Sequence, residues 1–167
     1  SWYHFDRYPD EYRCWWGVRI LPTVNSSNLE YIRFITGEDG VADTYLSAGI
    51  SGFRLDVADE LNENFLRSLR ERAKSISPEN ALIGEVWEDA SNKVSYGKYR
   101  SFLHGEELDS VMNYPFRDYI IAFVKGHITP SDFASNVMTI CENYPKDVLD
   151  ALMNSLSTHD TPRILTL

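Results

Sequence analysis

Three acidic residues stand where apolar segments end. Asp56 lies in GFRLDVA (52–58), Glu85 in ALIGEVW (81–87), and Asp160 at the close of ALMNSLSTHD (151–160). Arg54 precedes Asp56 by two residues, and His159 directly precedes Asp160. On an extended strand alternate residues share a face, so Arg54, Asp56 and Ala58 point one way and Phe53, Leu55 and Val57 the other. Ala81, Ile83, Glu85 and Trp87 separate from Leu82 and Val86 in the same manner. A lone acid at a strand end is ordinarily a cap or a surface group. Three at matching depth, buried and unpaired, would each cost several kcal/mol. They call for a cleft, a cation or a chemical task. Two chemistries use such a set. One is divalent-metal binding. The other is glycoside hydrolysis, in which one carboxylate attacks and a second, protonated, gives its proton to the leaving oxygen. Trp15, Trp16, Trp87, Tyr99 and Tyr114 supply flat apolar faces that suit sugar rings better than metals.

The elements that must position these residues alternate along the chain. Residues 1–27 read as a loop, with Pro9, Gly17 and Pro22, and 28–167 as βα units. Helical material over 28–48 breaks at Gly37 to Gly40, with Asp39 as a cap for the second piece and Gly49 as its end. A strand is expected over 52–58. A helix over 63–76 places Phe65, Leu66, Leu69, Ala73 and Ile76 on one face. A second strand follows at 81–87, then a polar loop or broken helix over 91–107, then a third strand at 108–114. Pro115 opens a helix with Phe116, Ile120, Phe123 and Val124 inward. Thr129 to Asp132 opens another, with Phe133, Val137, Ile140 and Cys141 on one face. A fourth strand is expected over 151–160. Strands alternating with helices predict an α/β protein with a parallel sheet. A doubly wound sheet and a (β/α)8 barrel both fit, but no glycine-rich phosphate loop follows any strand. A complete barrel needs about 250 residues, so four strands would be roughly half of one.

Composition narrows the partners. The chain is 43% hydrophobic and 13% aromatic, enough to bury a core. Its net charge of -9 argues against nucleic acid and against anionic membrane surfaces. No apolar run approaches the length of a membrane span, and SWYHFDRYP has neither the basic start nor the apolar centre of a signal peptide. Cys14 and Cys141 are too few for a disulfide framework, and Cys141 reads as a buried, inert thiol.

At the acidic positions the sequence resembles the α-amylase superfamily, glycoside hydrolase family 13. GFRLDVADE (52–60) is similar to the family's nucleophile segment, GEVWEDA (84–90) to its acid/base segment, and STHDT (157–161) to the segment bearing its third acid. ILPTVN (20–25) and MNYPFRD (112–118) resemble segments of the neopullulanase, cyclomaltodextrinase and maltogenic amylase group. The motifs occur in family order and run over essentially the whole chain.

The resemblance implies a partial (β/α)8 TIM barrel, about strands 4 to 7 with their helices. It implies a retaining α-glycosidase acting on α-glucans (starch, pullulan, cyclodextrin or maltooligosaccharides) through a covalent glycosyl-enzyme. Asp56 would be the nucleophile, Glu85 the general acid/base, and Asp160 the acid that holds ring hydroxyls. Arg54 would keep Asp56 ionised, and His159 would bond a sugar hydroxyl. Trp87, Asp59, Glu60 and Glu88 are substrate-side candidates, with Asp59 standing where the group has Asn. No metal ligand is expected within these residues. The family's first motif, with the Asn that ligates calcium in many members, is not among them, so calcium would belong to a longer parent. The resemblance further implies an internal fragment, inactive by itself, able to pair with another copy through an exposed half-barrel. It tips the location toward the cytoplasm. The alternatives are a non-catalytic carbohydrate-binding relative, although such relatives usually lose the acids, and a metal-dependent hydrolase, although no pair of His is in place.

Overall fold

The computed structural model describes residues 1–167. In chain order the elements are β1 (Phe5–Arg7), β2 (Glu11–Tyr12), α1 (Leu29–Thr36), α2 (Val41–Ser47), β3 (Gly52–Leu55), α3 (Glu63–Ile76), β4 (Ala81–Gly84), β5 (Val94–Ser95), β6 (Lys98–Tyr99), β7 (Ser110–Val111), α4 (Tyr114–Val124), α5 (Pro130–Asn143) and α6 (Lys146–Asp150). They form two compact units. One holds residues 1–51 and 61–80, the other 52–60 and 81–167.

The first unit is a β-hairpin followed by three helices that pack on one another. Each start is chemically marked. Asn28 caps α1 by accepting from the Tyr31 amide at 2.9 Å, and Asn62 caps α3 by accepting from the Asn64 amide at 2.9 Å. The faces turned inward carry Ile32, Ala42, Leu46, Phe65, Leu66, Leu69 and Ala73, all buried. Arg72 of α3 grips Asp43 of α2 with two hydrogen bonds of 3.1 and 2.6 Å. Asp39 does not cap α2. Gly40 takes that place, and the Asp39 amide instead donates to the Asp43 carboxylate at 2.9 Å.

The second unit is built on a parallel sheet in the order β3-β4-β7. Its register places Arg54 beside Ile83 and Leu55 beside Gly84. Two glycines allow this. A Cβ on Gly52 would lie 1.9 Å from the Ala81 carbonyl oxygen, and Gly52 has φ +139°, a conformation open essentially to glycine. A Cβ on Gly84 would lie 2.5 Å from the Leu108 side chain. Leu82, Val86, Leu108 and Val111 are fully buried around the sheet. Of the helices, α5 starts with the expected capping box, Thr129 and Asp132 bonding each other's amides.

The strands are shorter than the sequence suggests. β3 ends at Leu55 because Val57 leaves the extended region, with φ +40°. β7 covers only Ser110–Val111, since Asn113 already caps α4 by accepting from the Phe116 amide. With the chain turning there, the fourth strand expected over 151–160 shrinks to one bridge, Met112 with Met153. The polar stretch 91–107 contains the hairpin β5–β6, whose turn uses positive φ at Tyr96 and Gly97. Phe123 and Val124 are exposed instead of inward, because Phe123 meets Phe133 with one ring face and leaves the other open. Cys141 is exposed too. It follows buried Ile140 by one residue, and one helical step turns a side chain about 100° away.

Candidate active site

Arg54 is the hub of the acidic residues. Its backbone sits in β3, so its side chain projects from the sheet beside β4. Nε donates to Met112 Sδ at 3.4 Å, which steadies the guanidinium. Nη1 donates to Asp56 Oδ1 at 2.5 Å. Nη2 lies 3.1 Å from Glu85 Oε1 and 4.0 Å from Asp160 Oδ2. The Nη2 contacts are ion pairs and not hydrogen bonds, for no acceptor meets its N–H groups in bonding geometry. Burial works against the charge of Arg54, yet the bond to Asp56 and the charges of Glu85 and Asp56 outweigh it and raise its pKa above the ordinary value. The cation is therefore permanent at any working pH.

The three acids occupy different environments. The Glu85 side chain is only 5% exposed, while that of Asp56 is 75% exposed. Burying Glu85 is offset by donors on both oxygens. The Trp87 indole N–H donates to Oε1 at 3.1 Å, and the Val57 amide donates to Oε2 at 2.8 Å. The left-handed conformation of Val57 costs on the order of 1–3 kcal/mol for a β-branched residue. Asp160 follows His159, whose Nε2 lies 3.1 Å from Asp160 Oδ2. This pair sits in a turn and not at a strand end, with the Asp160 amide donating to Thr158 Oγ1 at 3.2 Å. Trp87 lies flat on Tyr114, and its 48% exposure leaves the other ring face open. An open, reachable carboxylate, a sheltered one and a flat aromatic surface are what attack, proton transfer and sugar stacking need.

The structure thus joins Asp56, Glu85, Asp160, Arg54, His159 and Trp87. It does not bring Asp59, Glu60 and Glu88 to the guanidinium. Lys93 lies 3.2 Å from Asp59 Oδ2 and also bonds Glu88, while the Tyr96 hydroxyl bonds Glu60. Arg100 donates to the Asp59 carbonyl at 2.8 Å. These acids tie the β5–β6 hairpin to the turn after Asp56. Sequence reasoning missed Lys93 and Tyr96, whose only signal was a cation and a phenol in a loop that follows several acids. It missed Val57 altogether, since a backbone angle leaves no mark in composition. Of the other aromatics, Trp15 and Trp16 stack on each other at 5.3 Å, and the Tyr99 hydroxyl donates to the Ser91 carbonyl. No group of three or more His, Cys, Asp or Glu side chains is arranged to hold a metal ion. Within the acidic cluster the cation is Arg54 itself.

Comparison with known proteins identifies the family. The sequence matches the family described as "Alpha amylase, catalytic domain" over residues 1–167. It is 33% identical to a cyclomaltodextrinase of Geobacillus thermopakistaniensis, covering 100% of this chain and 28% of that protein. It is 35% identical to neopullulanase 2 of Thermoactinomyces vulgaris, covering 89% of this chain and 24% of that one. Among solved structures, the ligand-free cyclic α-maltosyl-(1→6)-maltose hydrolase of Arthrobacter globiformis superposes with a TM-score of 0.87 at 29% identity, over 99% of this chain and 36% of that one. The debranching enzyme of Nostoc punctiforme superposes with a TM-score of 0.84 at 30% identity, over 99% and 37%. The chain spans about a quarter of the length of these two curated relatives. The matched catalytic domain is a (β/α)8 barrel, and the open parallel sheet is part of one, as the resemblance implies.

Proposed function

This chain belongs to the α-amylase family, within its catalytic domain, and from that premise we propose that the enzyme containing it is a retaining α-glycosidase acting on α-glucans. The observation that carries the reading is the convergence of Asp56, Glu85 and Asp160 on the Arg54 guanidinium.

Asp56, exposed and paired with Arg54, attacks the anomeric carbon. Glu85, protonated at the start, gives its proton to the glycosidic oxygen as the carbon–oxygen bond breaks, so the leaving sugar departs neutral. The product is a glycosyl ester on Asp56. Glu85, now a carboxylate, takes a proton from water, whose oxygen attacks the same carbon and frees Asp56. Asp160 and His159 hold ring hydroxyls, and the open face of Trp87 stacks on a pyranose ring. In a retaining enzyme the two reacting carboxyl groups work at about 5–5.5 Å separation. Calcium, implied by the family, finds no cluster of ligands among these residues.

The test is trapping. The full-length enzyme is incubated with a slow fluorinated α-glucosyl substrate, digested and examined by mass spectrometry. A sugar mass on the peptide bearing Asp56 is expected, with Asp56→Asn and Glu85→Gln unable to turn over maltooligosaccharides or cyclodextrin. Label on another peptide, or full turnover by Asp56→Asn, overturns the assignment.

A further inference from the structure

The hydrogen bonds between β3 and β4 change pattern at Val57. In a regular parallel ladder, a residue whose carbonyl accepts on one side is followed two positions later by an amide that donates to the next carbonyl. The Glu85 amide donates to the Leu55 carbonyl at 2.9 Å, so the Val57 amide is next in line for the Glu85 carbonyl. It does not go there. Ala58 takes that bond, at 3.1 Å. Val57, at φ +40°, turns its amide onto Glu85 Oε2 at 2.8 Å. One residue is in effect inserted into the ladder, as in a bulge, and the amide it releases is redirected from a carbonyl to a carboxylate. A β-branched residue occupies the left-handed region only when its surroundings compel it, and such outliers cluster at functional sites.

We propose that Val57 is a positioning residue for Glu85. Its amide fixes the rotation of the carboxyl group, which sets the direction in which the proton is given and taken back. The proposal rests on the reading of Glu85 as the acid/base. Val57 holds Oε2, while Trp87 and Arg54 meet Oε1. The other charged or titratable groups around this pair are Asp56 beyond β3, Asp160 with His159 in the turn, and Tyr114 at the start of α4. None of these donates to Oε2, so the amide is the donor of that oxygen, and it can be removed without altering a charge.

Losing the amide frees the carboxyl group to rotate, so its proton points at the glycosidic oxygen for less of the time. The experiment replaces Val57 in the full-length enzyme with its α-hydroxy acid analogue, which keeps the side chain and exchanges N–H for O. The expected result is a kcat lower by about tenfold or more with a nearly unchanged KM. Val57→Gly keeps the amide and relieves the steric cost, so its kcat should fall far less than that of the ester enzyme. An ester enzyme with the parent's kcat overturns the proposal, as does an equal loss of kcat in both variants. An independent readout needs no variant to fold. In the unaltered enzyme with 15N-valine, the Val57 amide proton should exchange slowly with solvent, and exchange as fast as in an unbonded loop overturns the proposal as well. Glu85→Gln is assayed in parallel. Full activity there removes the acid/base reading itself, whereas an inactive Glu85→Gln beside an undiminished kcat in the ester enzyme removes only the role of Val57.

Discussion

Trp87 and Tyr114 lie face to face, ring centroids 4.3 Å apart and planes 5° from parallel. Tyr114 is buried and opens α4. The start of that helix therefore sets the tilt of the indole, and the indole N–H in turn reaches Glu85. One residue serves two purposes, holding a carboxyl oxygen and exposing a flat face.

These purposes can be separated. Trp87→Phe keeps a ring to stack but has no donor. A hydrogen bond to a charged group is worth about 1.5–3 kcal/mol, so kcat should fall roughly 10- to 100-fold with KM little changed. Trp87→Ala loses the face as well and should raise KM. Steady-state kinetics on maltooligosaccharides decide it, and an unchanged kcat in Trp87→Phe would show that the bond has no part in turnover.

Arg54 is expected to be the most sensitive cation. Arg54→Met leaves Glu85 buried beside no positive charge, which should destabilise the enzyme by about 3–5 kcal/mol. Arg54→Lys cannot reach two acids with separate nitrogens and should recover stability without recovering rate. Denaturant unfolding beside activity assays checks both. Equal stability of Arg54→Met and the parent would contradict the pairing.

Lys93 ties Asp59 to Glu88. Burial works against its charge, but Glu88 and Asp59 outweigh burial and raise its pKa above 10.5. A raised pKa means that the contribution to stability is full below the unfolded value and fades as pH rises through the folded one. Lys93→Met should therefore lower stability by about 1–3 kcal/mol, evenly from pH 6 to pH 9, with the gap closing only in strong alkali. Unfolding curves across that range test this, and a gap that closes near neutrality would refute it.

Asp89 behaves oppositely. Burial raises its pKa, yet bonds from the Ser91 hydroxyl and amide, from Asn143 and from Tyr144 outweigh it and bring the carboxyl below 3.8. A lowered pKa contributes stability above the unfolded value, lost as pH falls through the folded one. Asp89→Asn should be less stable than the parent at pH 6, with the difference shrinking progressively as pH falls below about 3.8. Thermal melts from pH 6 to pH 3 give the comparison, and a difference that grows toward acid would contradict it.

Gly52→Ala should fail by sterics. The added carbon meets the Ala81 carbonyl at 1.9 Å in a backbone conformation that suits glycine. Soluble yield and Tm should both drop, and a variant with the parent's Tm would show that β3 can shift.

Much of this was legible in the chain itself. The α3 face of Phe65, Leu66, Leu69 and Ala73 follows helical spacing and is buried as expected, although Ile76 at its end is exposed. The capping box at Thr129 is a local pattern, and local patterns survive folding. The fourth strand was not legible, because pairing depends on where Asn113 turns the chain into α4. The partners of Asp59, Glu60 and Glu88 were not legible, because a carboxylate takes whichever cation or donor folding brings nearest, here Lys93 and Tyr96.

Sequence by itself determined the parallel architecture, the family, and the five residues gathered around Arg54, because strand alternation and the order of motifs are properties of a line of residues. Only the tertiary structure decided which acid is sheltered and which is open, which acids are taken up by the hairpin, and that the Val57 amide serves Glu85. Those outcomes depend on backbone angles and on neighbours remote in the chain, and neither is written in the spacing of side chains.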